Sequence, residues 1–380
     1  MSGNGTIGQI IAGQWSTILQ KCNSHQIRHL HAIRSCRTPA LGGHIYVCDT
    51  CHSRHKRYNS CRNRHCPQCQ KTQKYKWIER QQAKILPCPY FHVVFTIPHH
   101  LNDLNLAFPR QLYTILFTAA WETLDEFGWN SKYLGAQLGA TMILHTWGSN
   151  LSYHPHVHCI VPGGGISINK KWKALNSNSK FLFPVKAMSA VFRGKYIEYL
   201  HGFMDNHGME ITQSLKTHLY KTKWVVYAKP PPSRKNLINY LARYTHQIAI
   251  TSSRIISHTN TAIQFNYKDY RHRNQRKIMT LSPWEFVRRF TQHILPHGFT
   301  RIRHYGILHS SWNRSLFPAI SQSNIQWIEF WFQWREKALE CPLCRQGQLI
   351  PVIELPPQRG PPHQHMPIAS QNQSFKELVS

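Results

Sequence analysis

Carboxylates are the scarce residues of this chain: 16 Asp and Glu stand against 46 Lys and Arg in 380 residues, a formal charge of +30 at pH 7. Charged residues make up only 16% of the total, so the imbalance comes from missing acids rather than crowded bases. The deficit is uneven, with no Asp or Glu from Phe127 to Ile197 or from Ile211 to Lys268. A nuclease that holds two metal ions on three carboxylates could not place them in either stretch. A metal bound there needs imidazole, amide or thiolate ligands. Long apolar runs are missing as well, which excludes a helical membrane span. The first nineteen residues lack a basic n-region and are interrupted by Gln9, Gln14 and Ser16, which excludes a secretory signal, so a cytoplasmic protein is expected. Apolar residues are 41% of the chain, with 12 Trp, 16 Tyr and 17 Phe, enough for large cores and too many for a disordered basic tail. A field of this sign fits a partner made of phosphates.

Eleven cysteines are present, and their clustering favours metal over disulfides. Cys48-x2-Cys51 and Cys66-x2-Cys69 have the spacing of a zinc ribbon, two knuckles whose thiolates meet on one tetrahedral Zn2+. Cys36, Cys61, His44 and His65 fall in the same segment, so another ligand set or a second ion stays open. Cys341-x2-Cys344 is half a site, with His363 and His365 downstream as its available completion. From Met1 to Tyr90 there are 14 Lys or Arg against Asp49 and Glu79, and Arg54, Arg57, Arg62 and Arg64 decorate the module. A cationic zinc module of this kind is a DNA-docking element, with a merely solvated basic face as the alternative.

Apolar spacing predicts helices within residues 1–35, a basic helix Lys71–Leu86, and helices Arg110–Phe127 and Pro184–Leu200. A further helix is expected from Ser233 to about Tyr244, and Trp284–Leu295 starts on Ser282, Pro283 and Glu285 as cap, first-turn proline and box partner. Strands are expected at Tyr90–Ile97, Ala140–Trp147, His156–Pro162, Trp224–Ala228, Ile248–Thr251 and Ile263–Tyr267. The fold class is α+β, a mostly antiparallel sheet flanked by helices and preceded by a small zinc-ribbon domain. The domains expected are a helical and zinc-binding DNA-docking domain over 1–86 and a catalytic domain over 87–310. A helical extension over 311–350 and a disordered tail over 351–380 follow.

Two constellations carry chemistry. His156 and His158 flank Val157 on one predicted strand, so both imidazoles leave the same sheet face and suit one divalent ion. Tyr240 and Tyr244 sit four residues apart, so both phenols leave one helix face, near Arg234, Arg243 and His246 and far from any acid. A phenol beside cations and a divalent ion can attack a phosphodiester.

These segments, CRTPALGGHIYVC from Cys36, SCRNRHCPQCQ from Ser60, FHVVFTIP from Phe91, LHTWGSNLSYHPHVHCIVPGGG from Leu144, YLARYTHQIAI from Tyr240 and EFVRRFTQHILPHGFTRIRHYGIL from Glu285, together resemble the two-tyrosine HUH transposases of the insertion-sequence-ninety-one type. The resemblance implies an HUH-type nuclease sheet behind an amino-terminal zinc-binding domain. It implies rolling-circle transposition of single-stranded DNA, with Tyr240 and Tyr244 as nucleophiles and His156 and His158 as ligands of a catalytic Mg2+ or Mn2+. HUH enzymes usually add a third ligand; His145, Asn150 and His154 stand as candidates. Strand FHVVFTIP is expected to be scaffold rather than chemistry. No G-x-x-x-x-G-K motif occurs, so host replication or helicase factors would open the duplex, in a bacterial cell with the protein at the nucleoid. A plasmid replication initiator or relaxase shares the chemistry, and a non-catalytic zinc-ribbon DNA-binding protein shares the charge and cysteines.

Overall fold

The computed structural model describes residues 6–70, 73, 86, 88–175, 182–229, 247–269, 272, 274–311 and 339–358. The expected helix carrying Tyr240 and Tyr244, together with Arg243 and His246, lies outside the described residues, as do most of Lys71–Leu86 and the span 312–338. The chain divides into two compact units, Met1–Arg34 with Cys61–Ala338, and Ser35–Ser60 with Leu339–Ser380.

In the larger unit the amino end forms the short helices Ile7–Gly13, Trp15–Lys21 and Ser24–Ser35. The first starts on a capping box in which Thr6 and Gln9 satisfy each other's backbone donors, and it buries Ile7, Ile10 and Ile11. The centre is a five-stranded sheet in the order β12-β4-β5-β3-β8: β3 Tyr90–Thr96, β4 Gly139–Trp147, β5 Tyr153–Pro162, β8 Val225–Lys229 and β12 Ile302–Gly306. Every pairing in it is antiparallel.

Side-chain alternation splits this sheet into two different surfaces. Phe91, Val93 and Phe95 of β3, Met142 and Leu144 of β4, and Val157, Cys159 and Val161 of β5 join one core with the helices Pro109–Trp129 and Val185–Asp205. From those helices come Leu116, Phe117, Ala120, Phe192, Tyr196 and Leu200, each fully enclosed. The opposite surface carries the histidines, bordered by a smaller apolar cluster that includes Ile143, Ile160 and Ile307. A two-stranded ribbon pairs β6 Gly164–Ile166 with β7 Trp172–Ala174, and a separate antiparallel sheet orders β9 Ile255–His258, β10 Ile263–Asp269 and β11 Gln275–Leu281. The helix Pro283–Thr291 follows, with the Ser282 hydroxyl accepting from the Glu285 backbone N–H.

The strand expected at Ile248–Thr251 is instead irregular chain with a bend at Ala249, leading to a 3-10 turn at Ser252–Arg254, and the strand begins at Ile255. Ile248, Ala249 and Ile250 are nevertheless buried, so their hydrophobicity reports packing rather than a ladder.

The smaller unit is a three-stranded sheet in the order β13-β1-β2, from Leu349–Leu355, Gly43–Cys48 and Arg54–Tyr58. The disordered tail expected from residue 351 is thus a strand through Leu355, and the helical extension expected to 350 ends differently. Pro351 is tolerated there because β13 is an edge strand and Pro351 faces Tyr46 where the register slips, so its missing N–H breaks no regular pair.

The glycine triplet after Pro162 marks a close approach of backbones. A Cβ on Gly165 would fall inside contact distance of the Gln137 carbonyl, where Gln137 and Ile166 exchange hydrogen bonds of 2.9 and 3.0 Å. Gly165→Ala should therefore destabilise the larger unit by about 1–3 kcal/mol in denaturant unfolding. Gly194→Ala, in the helix Val185–Asp205 with open space at its Cβ, should stabilise it by about 0.5–1 kcal/mol. Equal effects from the two substitutions would contradict this packing.

Candidate metal centres

The pairing of β4 with β5 places His145 directly opposite His156 and Ile143 opposite His158. Ring nitrogens of His145, His156 and His158 all lie within 4.8 Å of one another. The Nε2 atoms of His156 and His158 face each other at 3.1 Å. Each ring is held from behind. Nδ1–H of His156 donates to the His154 carbonyl at 2.7 Å, which fixes Nε2 as its lone-pair nitrogen. Nδ1 of His158 meets Nε2 of His92 on β3 at 2.8 Å. His145 stacks on Trp147 with ring centroids 4.5 Å apart. His145 and His158 are buried and His156 is half-buried. Burial pushes the His156 imidazole down to about 3 and that of His158 well below its usual range. The rings are thus neutral near pH 7, the form that ligates.

Of the three candidates for a third partner, His145 joins the pair. The ring of His154 is exposed, and Asn150 spends its side-chain oxygen on the Ser152 N–H and hydroxyl, at 3.1 and 2.7 Å, to close the β4–β5 turn. A donor set of three imidazoles, with no carboxylate joining them among the described residues, fits Mn2+ better than Mg2+, which prefers oxygen. His92 went unnoticed in the sequence because FHVVFTIP reads as a buried strand. The available signal was a histidine among its β-branched and aromatic residues.

The cysteines assemble differently from the single ribbon expected of Cys48, Cys51, Cys66 and Cys69. In the smaller unit Cys48 and Cys51 join Cys341 and Cys344, all four sulfurs lying within 4.8 Å of one another. Sulfur–sulfur distances are 3.7 Å from Cys48 to Cys344 and 3.8 Å from Cys51 to Cys341. Each knuckle turns through a left-handed residue, His52 at φ 54° and Arg345 at φ 58°. Backbone N–H groups of Cys51 and Gly347 donate to the sulfurs of Cys48 and Cys344. A hydrogen bond from Ser53 draws the Cys341 thiol down to about 5. Cys341-x2-Cys344 thus meets the thiols of Cys48 and Cys51, whereas His363 and His365 lie outside the described residues.

In the larger unit Cys66 and Cys69 gather with Cys61, whose sulfur is 3.6 Å from that of Cys69. His65 does not join them. It is buried against the edge of the His29 ring, and its Nε2 has no hydrogen-bond partner. Among the basic residues expected on DNA, Arg62 is exposed, whereas Arg64 is half-buried and donates to the Phe299 carbonyl at 2.8 Å. The second guanidinium is therefore committed to the fold.

The family model described as "Transposase zinc-binding domain" matches residues 10–97, and the one described as "Putative transposase" matches residues 139–315. The chain is 38% identical over 365 residues to "Putative transposase y4qJ" of Sinorhizobium fredii, covering 89% of this chain and 91% of the relative. It is 29% identical over 312 residues to the transposase for insertion sequence element IS801 of Pseudomonas savastanoi pv. phaseolicola, covering 77% and 73%. A solved conjugative relaxase, TrwC in complex with oriT DNA, overlaps 41% of this chain and 70% of its own, with 11% identity and a TM-score of 0.25. The chain belongs to the transposases of the IS91 insertion-sequence type. It is accordingly a DNA-cleaving and strand-transferring enzyme that binds DNA and carries a zinc-binding domain. No helix among the described residues is long and apolar enough to cross a membrane.

The thiol geometry has a direct test. Metal-stripped protein oxidised with diamide should yield peptides joining Cys48 or Cys51 to Cys341 or Cys344. Crosslinks from Cys48 or Cys51 to Cys66 or Cys69 in their place would restore the single-ribbon arrangement.

Proposed function

We propose that this transposase moves its element by rolling-circle transposition, cutting and rejoining single-stranded ends through 5′-phosphotyrosine adducts. The observation that carries the reading is the convergence of His145, His156 and His158 on one sheet face, in a chain whose acid-free segments leave imidazole as the available donor. These three residues would hold the catalytic ion, Mn2+ in preference to Mg2+. Once bound, the ion supplies charge that polarises a scissile phosphate and fixes it for in-line attack. The rings contribute lone pairs, from Nε2 in His156 and His158, and a rigid placement, because strand pairing and the His154 and His92 contacts leave them little freedom.

By resemblance the nucleophiles are Tyr240 and Tyr244. Attack by a phenolic oxygen forms a phosphorus–oxygen bond to the tyrosine and breaks the bond to the 3′ oxygen, which leaves as a hydroxyl carrying the displaced proton. The adduct is still a diester, so a free 3′-hydroxyl can reverse the step and join strands without ATP. The second phenol would serve the other end or the target. Arg62, Arg243 and His246 would contact the strand, and host helicase or replication factors would open the duplex at the nucleoid.

Two zinc ions are the structural counterpart. One would sit among Cys48, Cys51, Cys341 and Cys344. The other would sit on Cys61, Cys66 and Cys69 of the larger unit. Purified protein should contain about two zinc equivalents, and Cys341→Ser should lose one of them. One equivalent in the wild type, unchanged in the variant, would contradict this assignment.

Incubation with single-stranded element ends and Mn2+, followed by denaturing gels, tests the chemistry. His156→Ala and His158→Ala should abolish the covalent adduct while leaving DNA binding nearly intact. That binding should weaken steeply with added salt, because it rests on phosphate contacts. Tyr240→Phe with Tyr244→Phe should form no adduct, and each single variant should fail to complete transposition. An adduct that persists in the double variant, mapped to Tyr227 on β8, would overturn the nucleophile assignment.

A further inference from the structure

His92 is the imidazole that the cleavage chemistry does not use and that nonetheless touches the metal centre. It stands on β3, next to β5, and its register partner there is Ile160, so it reaches His158 on the diagonal across the same sheet face. The two rings stack at an interplanar angle of 14°, with Nε2 of His92 at 2.8 Å from Nδ1 of His158. His92 and His158 are 4% and 7% exposed, so bulk water does not compete for this hydrogen bond.

A histidine that ligates through Nε2 carries its proton on Nδ1, and in a dry site that N–H needs an acceptor. The neutral Nε2 lone pair of His92 meets the requirement, which puts the His92 proton on its own Nδ1. We infer that His92 is a positioning residue that fixes the tautomer and ring orientation of His158, so that Nε2 of His158 faces the ion. The inference rests on the metal-dependent reading above. Its second consequence is electrostatic. His156 is backed by a carbonyl and His158 by an imidazole, in place of the carboxylate that often stands behind a metal-bound histidine. The ion's charge would then be directed at the scissile phosphate without an anion in the supporting contacts.

The test compares His92→Gln, whose Oε1 reaches as far as the lost Nε2 and can accept, with His92→Leu, which fills similar space and cannot. In zinc-loaded full-length protein, Mn2+ affinity is measured by calorimetry, adduct formation is followed against Mn2+ concentration, and the melting temperature is recorded. His92→Leu should bind Mn2+ about 10–100-fold more weakly while still melting cooperatively, and His92→Gln should stay within about threefold of wild type. At saturating Mn2+ the Gln variant should form adduct at close to the wild-type rate. Wild-type affinity in the Leu variant, or equal weakening in both variants, would overturn the positioning role while leaving the metal-dependent reading in place. A wild-type protein that forms the adduct in EDTA and binds no Mn2+ would overturn both.

Discussion

The antiparallel pairing of β4 with β5 is the constraint on which the rest of the larger unit depends. On one surface it aligns Met142 and Leu144 with Val157, Cys159 and Val161 against the two long helices. On the other it sets His145 across from His156. A slip of one residue would turn the apolar set outward and scatter the imidazoles, so burial of the first surface holds the geometry of the second. Desolvation then disfavours the charged forms of His156 and His158 and leaves them as ligands rather than as cations.

The smaller unit solves a different problem. Its enclosed cluster consists of little more than Cys48, Cys341 and Leu349, while Ile350, Val352 and Ile353 remain about half exposed. A sheet with so little apolar interior needs an outside stabiliser, and four converging thiols supply the place for one. That requirement explains why β13 returns from the far end of the chain to lie beside β1: its knuckle brings half of the donor set.

Charge is distributed in the same economical way. The large positive excess is partly committed to internal work, as Arg64 shows by donating to the Phe299 carbonyl, so total charge overstates what is free to meet DNA. Arg62, exposed in the loop between Cys61 and Cys66, is the kind of base that remains available.

Local signals were legible wherever a residue's neighbours in sequence decide its surroundings. The alternation of β3 and β5, the apolar spacing of the long helices, the Ser282 cap and the His156–His158 pair all follow from periods of two or 3.6 residues and from turn chemistry. The α+β class, the sign of the partner's charge, the lack of carboxylates in the two acid-free segments and the zinc-type thiols could all be read along the chain. Which donors meet is a matter of tertiary structure. His145 reaches the pair through strand register, His92 reaches His158 from an adjacent strand, and Cys48 and Cys51 find Cys341 and Cys344 some 290 residues away. Spacing along a chain is blind to these encounters, because a metal centre is selected by where backbones cross in three dimensions, and that is fixed by burying the opposite faces of the same strands.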